Sequence, residues 1–412
     1  MPEYQYLVAA TEGITCHVVG GALRDVALGL APRDLDVVVD HGGKEVSEHL
    51  AKSLPARIVN LGREQFAAFR IVGEKRHIDI WDRQGVDLES DLGRRDFTLH
   101  SFALEIRTGQ IADPFHGIPD LIARRLIATS PSSFSADPLR SLRLCRFLAQ
   151  IGDSRSDSDT VESARAAVGS LTSVAKERVR AELELLLRLP NARAGIETMI
   201  SLAILPWLLA PDPTPTPAGY DPAPVAHLLE RLDLAEEVGR CLSAPVDHYL
   251  VRLALLYSCW PDAKRGQVGE RLANNHRPAV ITKDTARDLE AISNLPALPV
   301  DLAGQRWFLF KAGRLWSTTV CIQAALSGPT LFYESGRARV AEISELAELL
   351  GDEVFAPRFL ISGTDLQQQL GLDPGSRLGN ILETVQRRQI EGILSTRTEA
   401  LDLARKILNG GH

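Results

Sequence analysis

The residues best suited to chemistry lie between His17 and Asp40, where the sequence reads HVVGGALRDVALGLAPRDLDVVVD. Two aspartates, Asp34 and Asp36, stand two residues apart beside a run of valines. Because alternate residues of a strand project from the same face, both carboxylates can hold one or two Mg²⁺ ions. Paired metal ions that activate a hydroxyl and stabilise a leaving pyrophosphate are the usual means of nucleotidyl transfer.

A glycine pair precedes these aspartates. A predicted strand ends at Gly20 and Gly21, and a helix carrying Arg24 begins at once. Glycine lets the backbone approach a ligand closely, so amide groups at the helix start can face an anion. A lone DxD is usually a solvated strand edge, and a lone GG turn indicates even less. The chain combines both: GGxxRDxxLG is followed, after four further residues, by DxD. This combination is far more specific than either motif alone, and it favours a metal-dependent site for a phosphate-bearing substrate.

The elements that must position these residues change in character near residue 130. Before it, short β-branched runs with few helical segments between them favour one mixed or antiparallel sheet with helices on one face. The runs are ITCHVV (14–19), LDVVV (35–39), ARIV (56–59), FAAFRIV (66–72), HIDIW (77–81) and FALEI (102–106). Beyond it, apolar residues recur every three to four positions, as in helices. The predicted class is α+β, with a sheet-based head and an all-helical remainder.

Composition divides the chain further. Asp137 and Pro138 predict the N-cap and first turn of a helix, and the proline-rich stretch 206–224 predicts a connector. The predicted domains are a sheet-based head (1–128), a helical neck (129–205), a helical body (206–330) and a helical tail (331–412).

The composition excludes several classes of protein. The 412 residues are 45% hydrophobic and 24% charged, which excludes wholesale disorder, and no run of about 18 apolar residues predicts a membrane span. The start of the chain lacks the pattern of a signal peptide, and five dispersed cysteines fit reduced thiols in a cytoplasmic protein. The net charge of -7 argues against non-specific coating of nucleic acid but allows one local basic surface.

Residues 17–40 resemble the nucleotide-binding motif of class II tRNA nucleotidyltransferases and bacterial poly(A) polymerases, in the polymerase-beta superfamily. Further stretches resemble motifs of that family in the same order. They are RRDFTLH (94–100), ADPLRSLRLCRF (136–147), KERVRAELELLL (176–187) and the C-terminal segment that begins LISGTDLQQQL (360–370). The resemblance is strong over 15–190 and 358–408. It implies a polymerase-beta-like head and an enzyme that joins nucleotides to an RNA 3′ hydroxyl and releases pyrophosphate.

The resemblance also implies residue roles. The catalytic, metal-binding residues would be Asp34, Asp36 and Asp79, with Mg²⁺ as cofactor; an exposed strand residue is the alternative for Asp79. The nucleotide-binding residues would be Gly20, Gly21, Arg24, Arg94, Arg95, Asp96, Asp137, Arg140, Arg143, Arg146 and Arg178. Within this set, Gly20, Gly21 and Arg24 would hold the triphosphate. Arg94 or Arg95 would neutralise phosphates and Asp96 would accept a hydrogen bond from a ribose hydroxyl. Asp25 supports either Arg24 or the helix start.

Asp137 and Arg140 would choose the base without a nucleic-acid template. Residues three apart on a helix share a face. The arginine can donate to N3 of cytosine or N1 of adenine, while the carboxylate accepts from the exocyclic amine; uracil and guanine present the opposite pattern. An N-cap aspartate and a surface arginine are the alternative. Arg143, Arg146, Arg178 and Arg180 would line the nucleotide or primer path, or form a solvated charged face.

The sequence departs from the family pattern at several points. Ala136 replaces a glutamate and His100 an asparagine, which puts the role of position 100 in doubt. The helix RLALLYSCWPDA (252–263) lacks the HD pair of some members, so no second hydrolase is expected. The interval from Asp79 to Arg94 is short, whereas members that add CCA or poly(A) carry a longer flexible segment. A movable segment there would reorient the base-recognition helix so that it binds adenine instead of cytosine.

The predicted activity is therefore addition of cytidines from CTP to the 3′ end of tRNA, with complete CCA addition from CTP and ATP left open. A poly(A)- or A-adding polymerase on the same scaffold and a catalytically inactive RNA-binding relative remain alternatives. No membrane and no obligate protein partner is expected. Aromatic residues make up 6%, so no base-stacking platform is evident. The tail cations expected to meet RNA phosphates are Arg387, Arg388, Arg397, Arg405 and Lys406.

Overall fold

The computed structural model describes residues 3–32, 34–54, 56–61, 68–73, 77–83, 85–209, 225, 227–259, 282–295 and 297–409. It divides into two compact units, Met1–Leu208 and Leu209–His412. Most of the predicted proline-rich connector, the end of the 252–263 helix and the first two residues of the run 66–72 lie outside the described residues. The finer division into head, neck, body and tail stays a prediction.

A seven-stranded mixed sheet forms the first part of the first unit. Its strands are β1 (Cys16–Val19), β2 (Leu35–Val39), β3 (Arg57–Asn60), β4 (Ala68–Val72), β5 (His77–Asp82), β6 (Ala103–Glu105) and β7 (Ile111–Ala112). They are ordered β3-β4-β5-β2-β1-β6-β7. β2 and β5 pair in parallel, and the other neighbours in this sheet are antiparallel. The predicted α+β class and mixed sheet are confirmed.

The two faces of the sheet have different surroundings. On one face, Val37 and Ile80 belong to a core that also receives side chains from the three helices α1 (Glu3–Ala10), α2 (Gly21–Ala27) and α3 (Gly43–Ser53). On the other face, Leu92 of α4 (Leu88–Gly93) packs with Val38. The prediction of helices on one face is therefore incomplete. Asp36, two residues before Val38, shares its face.

Helices complete the first unit. They are α5 (Gly117–Ile122), α6 (Ser133–Ala136), α7 (Arg140–Ile151), α8 (Ser158–Ala167), α9 (Lys176–Leu187), α10 (Ala192–Ser201) and α11 (Ile204–Leu209), with a small parallel sheet of β8 (Arg125–Leu126) and β9 (Arg155–Ser156). α7 packs against α9 and α10.

The prediction that Asp137 caps a helix is wrong. Residues 133–136 form the short helix α6, which ends at an extended Asp137 with φ −144°. α7 begins only at Arg140, and its preceding residue is Leu139. The Asp137 carboxylate instead accepts a hydrogen bond from the Leu139 amide at 3.3 Å, as aspartates do in turns. Asp137 and Arg140 therefore do not share a helix face.

Every regular element that the structure describes in the second unit is helical. These elements are α12 (Leu228–Cys241), α13 (His248–Ser258), α14 (Lys283–Ser293), α15 (Leu302–Ala312), α16 (Trp316–Ser327), the single turns Gly313–Leu315, Pro329–Leu331 and Phe332–Gly336, α17 (Arg337–Leu350), α18 (Asp352–Phe355), α19 (Gly363–Leu370), α20 (Ser376–Ile390) and α21 (Arg397–Leu408). The last three share a core that includes Leu366, Val385 and Ala404. No helix among the described residues has the length and apolarity to cross a membrane.

Candidate active site

Two of the predicted metal carboxylates, Asp36 and Asp79, lie on neighbouring strands in the middle of the sheet. Asp36 of β2 is in register with Val19 of β1 on one side and with Asp79 of β5 on the other. Asp34 lies just before β2 in an exposed position, and its carboxylate accepts a hydrogen bond from the His77 amide at 3.2 Å. The parallel pairing of β2 with β5 therefore places Asp36 and Asp79 side by side.

The electrostatics of Asp36 fit a cation site. Burial raises the pKa of Asp36, and the neighbouring charges of Asp79 and Asp34 raise it further, while Arg95 opposes them. Carboxylates that repel one another in a partly buried position are stabilised by a bound cation. Mg²⁺ commonly takes one or two protein carboxylates and completes its shell with water and substrate phosphates, so Asp34 and Asp36 suit it as a pair.

Asp79 is held by an arginine that the sequence analysis missed. The guanidinium of Arg70 donates two hydrogen bonds to the two oxygens of Asp79, at 2.8 and 2.7 Å, from the opposite position on β4. In the part of the chain that the structure describes, no group of three His, Cys, Asp or Glu side chains could hold a metal ion. The predicted three-carboxylate set is thus not gathered, and a metal contact by Asp79 stays a prediction that requires Arg70 to release it.

Gly20 brings the backbone against Asp36. Its φ is +71°, and a Cβ there would lie 2.7 Å from Oδ2 of Asp36 and 2.9 Å from a terminal nitrogen of Arg95. No other residue type fits so close an approach at a positive φ. The glycine pair of the first predicted motif and the Arg95 side chain therefore meet at Asp36, a predicted metal ligand.

Arg24, in contrast, is buried, and its guanidinium is engaged by Asp25 and His100. It is 6% exposed, its Nε donates to Asp25 at 2.9 Å, and its NH1 lies 2.8 Å from Nε2 of His100. Of the two alternatives for Asp25, the structure therefore favours support of Arg24. A triphosphate contact by Arg24 stays a prediction, since it would have to leave this network.

Asp96 lies at the centre of the same network. One oxygen accepts hydrogen bonds from the Phe97 amide at 2.9 Å and from Nδ1 of His100 at 2.8 Å, and the other accepts two from Arg143, each at 2.8 Å. Burial opposes the charge on Asp96, but the ring N–H of His100 and the guanidinium of Arg143 outweigh it and hold its pKa well below the usual range. The predicted ribose contact stays a prediction.

Two α7 arginines turn inward. Arg146 forms an ion pair with Glu182 of α9, and Arg143 reaches the same carboxylate at 3.8 Å. Both guanidinium groups lie over the ring of Phe147, at 5.2 Å for Arg143 and 3.9 Å for Arg146. The alternative of a solvated charged face is wrong for these two residues, because each is held by an acidic partner.

Arg140 ties the start of α7 to the segment 94–96. Its NH1 donates to Oγ of Ser133 at 2.8 Å and to the Arg95 carbonyl at 3.2 Å, and its NH2 donates to the Arg94 carbonyl at 2.5 Å. The Arg94 side chain itself is exposed. Arg140 therefore has a positioning task that its motif alone does not indicate.

Asp137 has a different partner, since its carboxylate forms an ion pair with Arg178 of α9 at 2.7 Å. The structure therefore brings Asp137, Arg140 and Arg178 into one region without forming a pair between the first two. Ala136 is the exposed last residue of α6.

Four of the five predicted tail cations are paired with nearby acids. Arg387 and Arg388 reach Glu391 at 2.8 and 3.1 Å, Arg397 reaches Asp365 at 2.5 Å, and Arg405 reaches Asp402 at 2.9 Å. The sequence analysis missed the indole of Trp307, which lies 5.3 Å from the guanidinium carbon of Arg387 and 4.7 Å from Nζ of Lys311. The spacing of Trp307 and Lys311, four apart on one helix, was the available signal.

Comparisons with known proteins show which proteins this chain resembles. The family described as "Poly A polymerase head domain" matches residues 16–127, and "Probable RNA and SrmB- binding site of polymerase A" matches 157–215. The CC-adding tRNA nucleotidyltransferase of Geobacter sulfurreducens is 28% identical over 97% of this chain and 94% of its own. The A-adding tRNA nucleotidyltransferase of Deinococcus radiodurans is 29% identical over 93% of each chain.

The chain belongs to the class II tRNA nucleotidyltransferase and bacterial poly(A) polymerase family. The members of this family are enzymes, and they are generally metal-dependent. The fold agrees as well: a structure of the Thermotoga maritima CCA-adding enzyme complexed with tRNA superimposes with a TM-score of 0.70 at 21% identity, covering 98% of this chain and 94% of the other. The family match covers both the carboxylates of β2 and the arginines of segment 94–96.

Proposed function

We propose that this protein adds cytidines from CTP to the 3′ end of tRNA. The terminal RNA hydroxyl attacks the α-phosphorus of CTP, the bond to the bridging oxygen of the β-phosphate breaks, and pyrophosphate leaves. The observation that carries this proposal is the Asp36 carboxylate beside Gly20, Arg95 and Asp34 in a family of nucleotidyltransferases. The names of the Geobacter sulfurreducens and Deinococcus radiodurans relatives support tRNA as the RNA substrate.

Each residue of the site has a separate proposed role. Asp34 and Asp36 would hold Mg²⁺, which when bound lowers the pKa of the attacking hydroxyl and neutralises charge on the leaving pyrophosphate; two ions are the arrangement we propose. The guanidinium of Arg95 lies at Asp36, where it can meet a phosphate oxygen of the nucleotide. Arg140 and Asp137 would contact the base from the start of α7.

The connection between β5 and α4 supports CC addition. β5 ends at Asp82 and α4 begins at Leu88, so only residues 83–87 join them. The Arg83 amide donates to the Val39 carbonyl of β2 at 2.9 Å, which anchors the start of this connection, and the Arg83 guanidinium donates to the Val86 carbonyl near its end at 3.1 Å. A short anchored connection is poorly suited to re-aim the base-recognition residues from cytosine to adenine.

An A-adding activity is the second candidate, because the A-adding relative is as similar to this chain as the CC-adding one. CC addition and A addition differ both in the nucleotide that is used and in the RNA 3′ end that is extended. We would incubate the protein with tRNA transcripts that end before the CCA sequence, after its first C or after both, and supply one labelled nucleotide at a time.

We expect CTP to extend the first transcript by two residues, and ATP to be incorporated into none. Addition of ATP to the transcript that ends in CC would contradict CC-only addition, and long runs of adenosine would show a poly(A) polymerase. Failure of every nucleotide would indicate the inactive RNA-binding relative. A chelator should abolish incorporation and added Mg²⁺ should restore it.

A further inference from the structure

The imidazole of His100 lies buried between two charged groups of the first unit. It is 4% exposed, its Nε2 lies 2.8 Å from NH1 of Arg24, and its Nδ1 lies 2.8 Å from Oδ1 of Asp96. Because a guanidinium can only donate, Nε2 must accept, and Nδ1 then carries the proton that is donated to Asp96. The geometry therefore requires one tautomer of an uncharged ring.

Two arginine side chains lie near the imidazole of His100. Arg24 comes from α2, and Arg143 comes from α7 through the shared carboxylate of Asp96. The ring of Phe147 packs edge-on at 4.6 Å and also lies under Arg24, Arg143 and Arg146. A second proton on the imidazole would leave NH1 of Arg24 without its acceptor and add a third charge beside two arginines. Burial, first, and then these two arginines lower the pKa of His100 to about 4, against the attraction of Asp96.

The contacts of His100 connect it to the proposed metal ligand Asp36 and to the proposed base-recognition residue Arg140. Asp96 is fixed by His100, and the residue before it, Arg95, places its guanidinium at Gly20 and Asp36. The carbonyls of the same segment accept the hydrogen bonds of Arg140 at the start of α7. The segment 94–96 is therefore the connection between the metal carboxylate and the base-recognition residue.

We propose that His100 is a positioning residue for nucleotide selection: its uncharged imidazole fixes Asp96, and with it the placement of Arg95 at Asp36 and of Arg140 at the start of α7. This inference rests on the proposed function. It assigns a task to a position at which the sequence departs from its family pattern. His100 does not contact the substrate in this role, because it is enclosed by Arg24, Asp96 and Phe147.

Three substitutions separate the two hydrogen bonds. His100→Asn keeps a donor near the Nδ1 position, toward Asp96, and loses the acceptor for Arg24. His100→Gln places an acceptor near the Nε2 position and loses the donor to Asp96. His100→Phe keeps the ring volume against Phe147 and loses both hydrogen bonds. His41→Asn is the control, because His41 is exposed and lies in no part of this network.

The readouts are the KM for CTP and the ratio of kcat/KM for CTP to that for UTP, measured on tRNA that lacks its 3′ end. At pH 7.5 we expect His100→Phe and His100→Gln to reduce this ratio about tenfold, and His100→Asn to retain most of it, because the bond to Asp96 remains. In the wild type the ratio should stay constant between pH 7 and 5.5, because the pKa of His100 is about 4 and the imidazole remains uncharged over this range.

The outcomes are distinguishable. A His100→Phe protein that unfolds at the same urea concentration as the wild type and keeps its KM and its CTP preference would overturn the inference. An equal loss in His100→Asn and His100→Phe would overturn the assignment to Asp96. Failure of the wild type to extend any tRNA would instead overturn the proposed function, and this inference with it.

Discussion

Asp34 and Asp36 differ in how much of the fold depends on them. Asp34 is exposed and precedes its strand, whereas Asp36 lies within the sheet against Gly20. We expect Asp34→Ala to fold normally and to lower nucleotide incorporation by orders of magnitude, because a metal ligand is lost. RNA binding, measured by filter retention, should be unchanged. Asp40→Asn is the control at the other end of β2, and surviving incorporation in Asp34→Ala would refute the metal assignment.

Gly20 allows a sharper test of the close approach to Asp36. Gly13 and Gly20 both have positive φ, of +77° and +71°, but a Cβ at Gly13 would meet nothing within 4 Å. Gly13→Ala should destabilise the fold by about 1–2 kcal/mol through backbone strain, and Gly20→Ala by more, because its Cβ would also clash with Asp36 and Arg95. Only Gly20→Ala should also displace Asp36 and Arg95, so only it should abolish incorporation. Urea unfolding and single-nucleotide assays measure the two effects separately, and an active Gly20→Ala protein would contradict the proposed geometry.

At the scale of elements, Arg140 joins α7 to the segment 94–96. Arg140→Ala removes hydrogen bonds to Ser133 and to two carbonyls, so we expect the free energy of unfolding to fall by about 1–3 kcal/mol. Nucleotide preference should relax at the same time, because the base-recognition residue and its support are both lost. Arg287→Ala, which removes an exposed pair with Asp284, is the control. An unchanged CTP preference in Arg140→Ala would refute base selection by this side chain.

The packing of α2 against α7 through His100 predicts a pH dependence of stability. The pKa of His100 is about 4 in the folded protein and about 6.5 when unfolded, so the unfolded chain binds the proton first. This contribution is fully present above pH 6.5 and is lost as the pH falls toward 4, by at most about 1.4 kcal/mol per pH unit. Urea unfolding at pH 7, 6 and 5 measures it. A His100→Phe protein with the same pH slope would contradict this source.

The sequence predicted the elements better than their contacts. The β-branched runs and the DxD spacing predicted β2 and its carboxylates, because strand periodicity is local information. The bond between Arg70 and Asp79 depends on the register of β4 against β5, which no local pattern specifies. The start of α7 was misplaced because Asp137–Pro138 carries helix-start signals, although the preceding helix α6 makes this segment a turn.

The same limit applies to the arginines. Arg143 and Arg146 have the spacing of a charged helix face, but Asp96 and Glu182, distant in sequence, hold both inward. Their burial is intelligible only once α7 and α9 are packed together. Charge on a helix is thus a weak guide to exposure when an acidic partner lies on the next element.

Across the whole molecule, the net charge of -7 argues against strong non-specific attraction to RNA. The tail arginines reinforce this expectation, since Arg387, Arg388, Arg397 and Arg405 each lie beside a carboxylate. An RNA phosphate must compete with these acids. We therefore expect tRNA affinity to fall only moderately with salt, through a small number of phosphate contacts.

Arg387 is the tail residue best placed to make such a contact. Its guanidinium lies over the indole ring of Trp307, and about half of its side chain is exposed. If it binds a phosphate, Arg387→Gln should reduce the slope of log K against log[salt] by about 0.9. Arg314→Gln is the control, since Arg314 is exposed in the same unit and pairs with Asp288. Fluorescence titrations of labelled tRNA between low and moderate salt give both slopes. Equal slopes for Arg387→Gln and the wild type would exclude a phosphate contact at this position, because a lost ion contact must release one fewer counterion.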